Sequence, residues 1–215
     1  MKVEPITVPP ALPARGQTRA TKILQAAIDL FLKLGYERTS MDAVIQRAGG
    51  SKSTLYRLFP TKAVLFQAVV ELIVAQPDEV PLNIDDDIRE TLTRFARERM
   101  KVVSSPQHIA LVRLIVSESE KNRFSSTAKM YGILGPERRL RRLTRYFAEL
   151  KHSGRLNIDD SEEAASFFTA ALMNPWYIKQ LLAPSKRPSS DELREQAART
   201  IDRFLKLYLP PKKTE

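Results

Sequence analysis

Cationic and hydroxyl side chains are concentrated in a short segment that follows two consecutive glycines, Gly49 and Gly50. If this segment, residues 52–59, forms a helix with Leu55 and Phe59 directed inward, four polar side chains remain on its outer faces. These are Lys52, Ser53, Tyr56 and Arg57. Donor groups near a helix N-terminus, where backbone N–H groups also attract anions, are suited to contacts with phosphates and base edges. The segment therefore predicts binding to nucleic acid.

The charge of the whole chain indicates the same class of partner. The 215 residues contain 35 Lys and Arg against 25 Asp and Glu, which gives a formal net charge of +10 and a sequence pI of about 9.9. Residues 15–62 carry nine basic and three acidic side chains, and therefore more than half of the excess positive charge. A short segment with such a charge is typical of proteins that bind phosphate polyanions.

Other classes of function find little support in the residues. The chain has no cysteine, and its two histidines, His108 and His152, are too isolated to predict a metal site or a paired catalytic base. None of the seven glycines forms part of a phosphate-binding loop motif. We therefore expect no enzymatic activity, no cofactor and no metal. The chain also has no apolar run of about 20 residues and no secretory leader at its start, so we expect a cytoplasmic protein.

Hydrophobic residues recur at helical spacing along most of the chain, and strand-like alternation is missing, so the sequence predicts an all-α protein. The expected helices are 16–34, 39–48, 52–59, 61–75, 88–103, 109–121, 140–150, 161–173 and 191–208. We expect a disordered proline-rich tail at 1–14, a helix-turn-helix DNA-binding domain at 15–62, an effector-binding and dimerisation domain at 63–210 and a tail at 211–215. The basic run 138–145 is interpreted as a solvated helix face.

The two short helices around the glycine turn have the spacing of a helix-turn-helix, in which the second helix enters the major groove. The run ILQAAIDLFLKLGYERTSMDAVIQRAGGSKSTLYRLFPTKAVLFQAV resembles the N-terminal DNA-binding domain of the TetR family of bacterial repressors. The shared pattern is a helix ending in Gly-Tyr, then Thr-Ser, Ala-Gly-x-Ser, Lys-x-x-Leu-Tyr-x-x-Phe and a downstream Lys. The resemblance covers about residues 16–71.

The resemblance implies a role for each matching residue. It implies contacts with the DNA backbone for Thr39 and Ser40 and contacts with base edges for Lys52 and Ser53. It also implies phosphate or base contacts for Thr54 and Tyr56, and a phosphate contact for Lys62. The sequence departs from the family pattern in two places. Gly50 stands where an apolar side chain usually fills the turn, which is expected to loosen it. Leu58 stands where the family often has Tyr or His as a phosphate contact, so Arg57 is favoured as a contact instead.

The segment from ALVRLIVSESEKNRF to ELKHSGRLNIDDSEEAASFF is similar in order and spacing to the C-terminal domain of one subgroup of this family. That subgroup includes regulators of efflux pumps and of quorum-sensing genes. The resemblance implies a homodimer in which helices from residues 161–182 and 191–208 form a four-helix interface. The predicted interface residues are Phe167, Phe168, Leu172, Leu193, Ala197, Ile201, Phe204 and Leu205. The alternative is that these residues form the core of a monomer.

The family also implies a ligand pocket in the C-terminal domain, which the sequence permits because aromatic and apolar residues are frequent there. The candidate lining residues are Phe95, Met100, Leu114, Glu118, Tyr131, Phe147, Phe168, Asn174, Trp176 and Tyr177. Ordinary core packing is the alternative for each of them. The helix break at Asn174-Pro175 lies beside the sole tryptophan and is the better candidate among them.

The expected function is sequence-specific transcriptional regulation, by a repressor that a small and largely apolar ligand releases from a palindromic DNA operator. The alternative is an architectural DNA-binding dimer that needs no ligand. Specific binders prefer their site over bulk DNA by ~10³ or more, so this preference distinguishes the two functions.

Overall fold

The structure is a computed structural model, and it describes residues 14–74, 80–119, 136–183 and 187–211. Within these ranges all regular structure is helical, which confirms the prediction of an all-α protein. The described helices are α1 (Ala14–Leu34), α2 (Met41–Ala48), α3 (Lys52–Leu58), α4 (Lys62–Val74), α5 (Ile88–Val103), α6 (Pro106–Ser119), α7 (Arg138–His152), α8 (Ser161–Met173), α9 (Trp176–Leu182) and α10 (Ser190–Tyr208). None of the helices in the described ranges is both long and apolar enough to cross a membrane.

Local sequence signals determine where the first three helices begin and end. Gly35 adopts a φ of +84° and its N–H donates to the carbonyl of Phe31 over 2.9 Å, which terminates α1. Ser40 caps the N-terminus of α2 because its hydroxyl accepts the N–H of Ala43 over 3.0 Å. Ser51 caps α3 in the same way. These predicted boundaries are confirmed.

The first hydrophobic core, here called the N-terminal core, lies among α1, α2, α3 and α4. Phe31, Leu55 and Phe66 are almost completely buried in it. Two residues of α6, Leu111 and Ile115, also belong to it. The boundary predicted between residues 62 and 63 cuts through this core, because α4 packs with α1 and not with the later helices alone. The sequence around the recognition motif gives no sign that α6, which is distant in sequence, completes the N-terminal core.

The second hydrophobic core, the C-terminal core, lies among α5, α7, α8 and α10. Its centre is a group of three rings: Phe147 and Phe204 have centroids 4.9 Å apart, and Phe168 and Phe204 have centroids 5.1 Å apart. All three side chains are fully buried. Such aromatic packing is a large part of the stabilisation of a helical core.

The position of these rings corrects the predicted dimer interface. Six of its eight residues are buried inside a single chain, namely Phe168, Leu172, Ala197, Ile201, Phe204 and Leu205. A side chain that is already covered within one chain offers no surface to a second chain. The apolar stripe of α10 therefore reflects packing against α5 and α8, which was the alternative interpretation. Of the predicted set, Phe167 is 47% exposed and Leu193 is half-buried.

Candidate nucleic-acid interface

Helix α3 separates its apolar and polar residues as the sequence predicts. Leu55 and Leu58 are buried in the N-terminal core, and Phe59 follows the helix as a third buried residue. The side chains on the outer face are exposed: Lys52, Ser53, Tyr56 and Arg57. Thr54 is half-buried. The helix therefore presents a cation-rich surface that begins at its N-terminus.

The N-terminus of α3 is ordered by three hydroxyl groups. The Ser51 hydroxyl accepts the N–H of Thr54 over 3.3 Å, and its oxygen lies 3.0 Å from the hydroxyl oxygens of both Ser53 and Thr54. These contacts satisfy one of the unpaired N–H groups of the first turn. They also fix the direction of the Ser53 and Thr54 side chains, two of the predicted DNA contacts.

Lys52 is held by a partner on the preceding helix. Its Nζ lies 2.8 Å from a carboxylate oxygen of Asp42 in α2, and both side chains are more than half exposed. The hydrogen bond that the Lys52 ammonium donates to Asp42, together with the negative charge of that carboxylate, raises the pKa of Lys52. Lys52 stays protonated, and the carboxylate of Asp42 competes with a base edge for its ammonium donors.

Lys62 occupies the start of α4 and contacts the loop between α1 and α2. Its Nζ donates to the carbonyl of Glu37 over 3.1 Å and lies 4.3 Å from the centroid of the Tyr36 ring. The ammonium group is thus partly used within the protein, in a cation–π arrangement. An ammonium carries three donors, so this geometry leaves Lys62 able to contact a phosphate as well.

The two predicted backbone contacts at the start of α2 differ in accessibility. Ser40 is exposed, whereas Thr39 is 1% exposed and its hydroxyl donates to the carbonyl of Gly35 over 2.8 Å. The structure therefore contradicts a DNA contact by the Thr39 side chain. Its hydroxyl instead satisfies an orphan carbonyl at the end of α1, a requirement that the sequence pattern did not reveal.

The candidate pocket residues fall into separate places. Phe95, Met100, Phe147 and Phe168 are buried in the C-terminal core, and Leu114 packs at the edge of the N-terminal core. Tyr131 lies outside the described residues, as does the side chain of Glu118. Near the helix break, the indole of Trp176 donates to the carbonyl of Leu172 over 2.9 Å, while Asn174 is exposed and Tyr177 is half-buried. Of the described candidates, Leu114 alone is among the residues that line the groove between α1, α6 and α9.

His108 is a buried polar residue that the sequence did not single out. It is completely buried at the start of α6, and its Nε2 lies 3.3 Å from the hydroxyl of Tyr177 in α9. Burial, reinforced by the positive charges of Arg99 and Arg139, lowers the pKa of His108 to about 3. The imidazole is therefore neutral at physiological pH. Only the fold brings these four side chains together, so their spacing in sequence carried no signal.

A groove of about 1150 Å³ lies where the end of α1, the length of α6 and α9 meet. Its lining includes exposed apolar side chains, Ile178 and Leu182 among them, and the cations Lys33, Arg38 and Arg113. The groove is thus lined by α1, which belongs to the N-terminal core, together with α6 and α9. Among the described residues, no group of three or more His, Asp or Glu side chains is arranged to hold a metal ion.

Comparison with known protein families identifies both halves. The family model for bacterial regulatory proteins of the tetR family matches residues 23–69. The model for the C-terminal domain of AefR-like transcriptional repressors matches residues 90–210, more than half of the chain. The chain belongs to the TetR family. Helix α3, with its exposed polar face, thus corresponds to the second helix of the helix-turn-helix in the matched tetR-family domain.

Individual TetR-family proteins resemble parts of the chain or its whole fold. A DNA-binding transcriptional repressor TetR from Mycobacteroides abscessus is 41% identical over 78 residues, 36% of this chain and 37% of that protein. An uncharacterised HTH-type transcriptional regulator from Mycobacterium tuberculosis is 32% identical over 113 residues, 53% of this chain and 54% of that protein. The chain thus spans between about a third and about half of the curated relatives that it matches.

Solved structures of TetR-family proteins match nearly the full length. A TetR-family regulator from Mesorhizobium loti has a TM-score of 0.78 at 26% identity and covers 92% of this chain and 100% of its own. The flavonoid-responsive regulator FrrA has a TM-score of 0.73 at 30% identity, with 90% and 98% covered. These neighbours share the helical domain that follows the helix-turn-helix.

Proposed function

We propose that this TetR-family protein is a transcriptional repressor that binds a specific, palindromic DNA operator. One observation carries the proposal: α3 buries Leu55 and Leu58 and exposes Lys52, Ser53, Tyr56 and Arg57 immediately after a capped N-terminus. The exposed donors match the phosphates and base edges of a major groove. A regulator of this kind acts in the cytoplasm, where bacterial DNA lies.

Reading a palindrome requires two copies of α3, and we infer that a homodimer supplies them. The surface that remains for dimerisation is the outer side of α8 and α10. Several apolar side chains are exposed on these helices or directly after them, namely Phe167, Leu207 and Leu209. Exposed apolar side chains of this size favour association with another protein surface. The helices are those that the sequence indicates; Phe167 belongs to the predicted set, whereas Leu207 and Leu209 do not.

We further propose that a small, largely apolar effector releases the protein from DNA. The observation that supports this is the path of α6. Its first turn holds His108 against Tyr177, and its later residues Leu111 and Ile115 pack in the N-terminal core. A ligand that displaces α6 at the His108 end must also move the core that supports α3. The relative FrrA is flavonoid-responsive, so a flavonoid is a reasonable first probe.

A second connection supports the same coupling. The guanidinium of Arg139 in α7 donates to the carbonyl of Val74, the last residue of α4, over 3.1 Å. Movement of α7 therefore reaches the end of α4. Release from the operator by tenfold requires about 1.4 kcal/mol of coupling, which lies within the usual range for allostery. By thermodynamic reciprocity, operator DNA must weaken effector binding by the same factor.

The experiment that tests the proposal is selection of bound fragments from random and genomic DNA by the purified protein. We expect one palindromic sequence to be enriched and to bind at least ~10³-fold more tightly than bulk DNA. A flavonoid panel is then titrated into the operator complex while the fluorescence of Trp176 is followed. Equal affinity for all sequences would instead support the architectural protein. Operator binding that no compound alters would remove the effector and leave the specific dimer.

A further inference from the structure

The turn between α2 and α3 has an unusual neighbour. Gly49 and Gly50 both adopt positive φ angles, +72° and +88°. A Cβ atom built on Gly50 would lie 2.3 Å from Nη2 of Arg19 and 2.6 Å from its Cζ, whereas a Cβ built on Gly49 would meet nothing within 4 Å among the described residues. The guanidinium of Arg19, which belongs to α1, therefore fills the space that a side chain at position 50 would take.

A hydrogen bond fixes the guanidinium in that place. Nη1 of Arg19 donates over 2.9 Å to the carbonyl of Ala48, the last residue of α2. The end of a helix offers unpaired carbonyls and a partial negative charge, and both favour a cation there. In the described part of the chain, Nη2 of Arg19 is buried and has no hydrogen-bond partner. The unsatisfied donor offsets part of what the hydrogen bond contributes to folding stability.

We propose that Arg19 is a positioning residue for DNA recognition: its guanidinium replaces the turn side chain that Gly50 lacks and fixes α3 relative to α1 and α2. The inference rests on the proposed function, because it assigns a role in presenting α3 to the operator. It also corrects the expectation that Gly50 leaves the turn loose. The φ of +88° favours glycine at position 50, and a Cβ there would displace the flexible end of Arg19 from the turn.

A cation in this segment could instead act by charge alone, and two variants separate the roles. Arg19→Lys keeps the charge, but an ammonium lacks the planar group that fills the space beside Gly50. We expect Arg19→Ala and Arg19→Lys each to lower operator affinity about tenfold, the size of one lost hydrogen bond, while Arg19→Lys leaves affinity for bulk DNA within twofold. Lys22→Ala removes an exposed charge from the same helix and should lower both affinities alike.

The two glycines provide a matched pair of controls. Gly50→Ala and Gly49→Ala each introduce strain at a positive φ, but only the new methyl group at position 50 displaces the guanidinium. We expect Gly50→Ala to lose about tenfold more operator preference than Gly49→Ala. In an Arg19→Ala background the additional effect of Gly50→Ala should disappear, because the guanidinium is no longer there to be displaced.

The measurement is competition binding of each full-length variant to the selected operator and to bulk DNA, with a thermal unfolding curve for each. The proposal predicts a lower operator preference at nearly unchanged midpoint for Arg19→Lys. For Gly50→Ala it predicts a lower preference than in Gly49→Ala, with a midpoint lowered in both by the strain at positive φ. Wild-type preference in Arg19→Lys, or an equal loss for both DNAs in Arg19→Ala, would overturn the positioning role and leave the proposed function intact. A wild-type protein without any sequence preference would overturn both.

Discussion

Helices α3 and α10 are both amphipathic, but the feature that indicates a function is the polar face in α3, whereas the apolar face of α10 serves packing within the chain. In α3 the apolar residues pack into the N-terminal core and the polar face is the feature with a function. In α10 the apolar stripe of Ile201, Phe204 and Leu205 packs into its own chain, although its pattern is equally compatible with a dimer interface. A hydrophobic stripe shows that a face is covered, but it does not show which molecule covers it.

The largest effect that this comparison predicts is on stability. Phe204→Ala should lower the free energy of unfolding by about 3–5 kcal/mol, because it leaves a cavity beside Phe147 and Phe168. Phe167→Ala, on the exposed side of α8, should cost far less stability and instead weaken dimerisation. Chemical denaturation and sedimentation measure the two quantities. A folded Phe204→Ala monomer with wild-type stability would contradict the core position of Phe204 and would place the apolar stripe of α10 in the dimer interface.

The next effect concerns the exposed side of α3. Lys52→Ala should cost ~1–3 kcal/mol of operator affinity and relax the preference at one operator position, as expected for a base contact. Asp42→Asn should instead raise operator affinity, because it removes the carboxylate that holds Lys52 in the free protein. Binding to a set of single-base operator variants measures both. Unchanged affinity and preference in Lys52→Ala would contradict the base-reading role.

A pH effect sharpens the contrast between the exposed cationic side chains and the buried, neutral imidazole of His108. His108 takes up a proton near pH 6.5 when the chain is unfolded, but only near pH 3 in the folded protein. The unfolded state therefore binds more protons between these values, and stability must fall as the pH falls through that window. We expect a loss of about 1 kcal/mol between pH 7 and 5.5 from this residue alone.

The measurement is the free energy of unfolding at several pH values for wild type and His108→Gln. His108→Gln should flatten the dependence by the stated amount. Equal slopes in wild type and His108→Gln would mean that the buried imidazole is accessible to protons.

The smallest expected effect is at Lys62. Lys62→Ala should weaken binding to operator and bulk DNA alike and reduce the slope of the salt dependence by about one unit. The loss of its contacts with Tyr36 and Glu37 should cost at most about 1 kcal/mol of stability. Titrations at several salt concentrations test this. A change in sequence preference would assign Lys62 to base reading instead.

The success of sequence-based prediction follows the distance in sequence between interacting residues. Helix ends at Gly35, Ser40 and Ser51 were predictable because a cap bonds to residues three or four positions away. The exposed face of α3 was predictable from the same local period. Neither the contact of His108 with Tyr177 nor that of Arg19 with the turn could be found in this way, because 69 and 29 residues separate the hydrogen-bonded partners.

The path of α6 also limits how freely nature or an engineer can recombine the two halves of this protein. A fragment that stops at Val74 would carry the complete helix-turn-helix but leave unfilled the places of Leu111 and Ile115 in its core. Fusing that fragment to an unrelated sensor domain would leave an apolar cavity in the N-terminal core, unless the new domain supplies side chains equivalent to Leu111 and Ile115 at the same positions. Transplantation of the DNA-reading head is therefore expected to succeed between chains whose sixth helices match, and the unit of exchange is discontinuous in sequence.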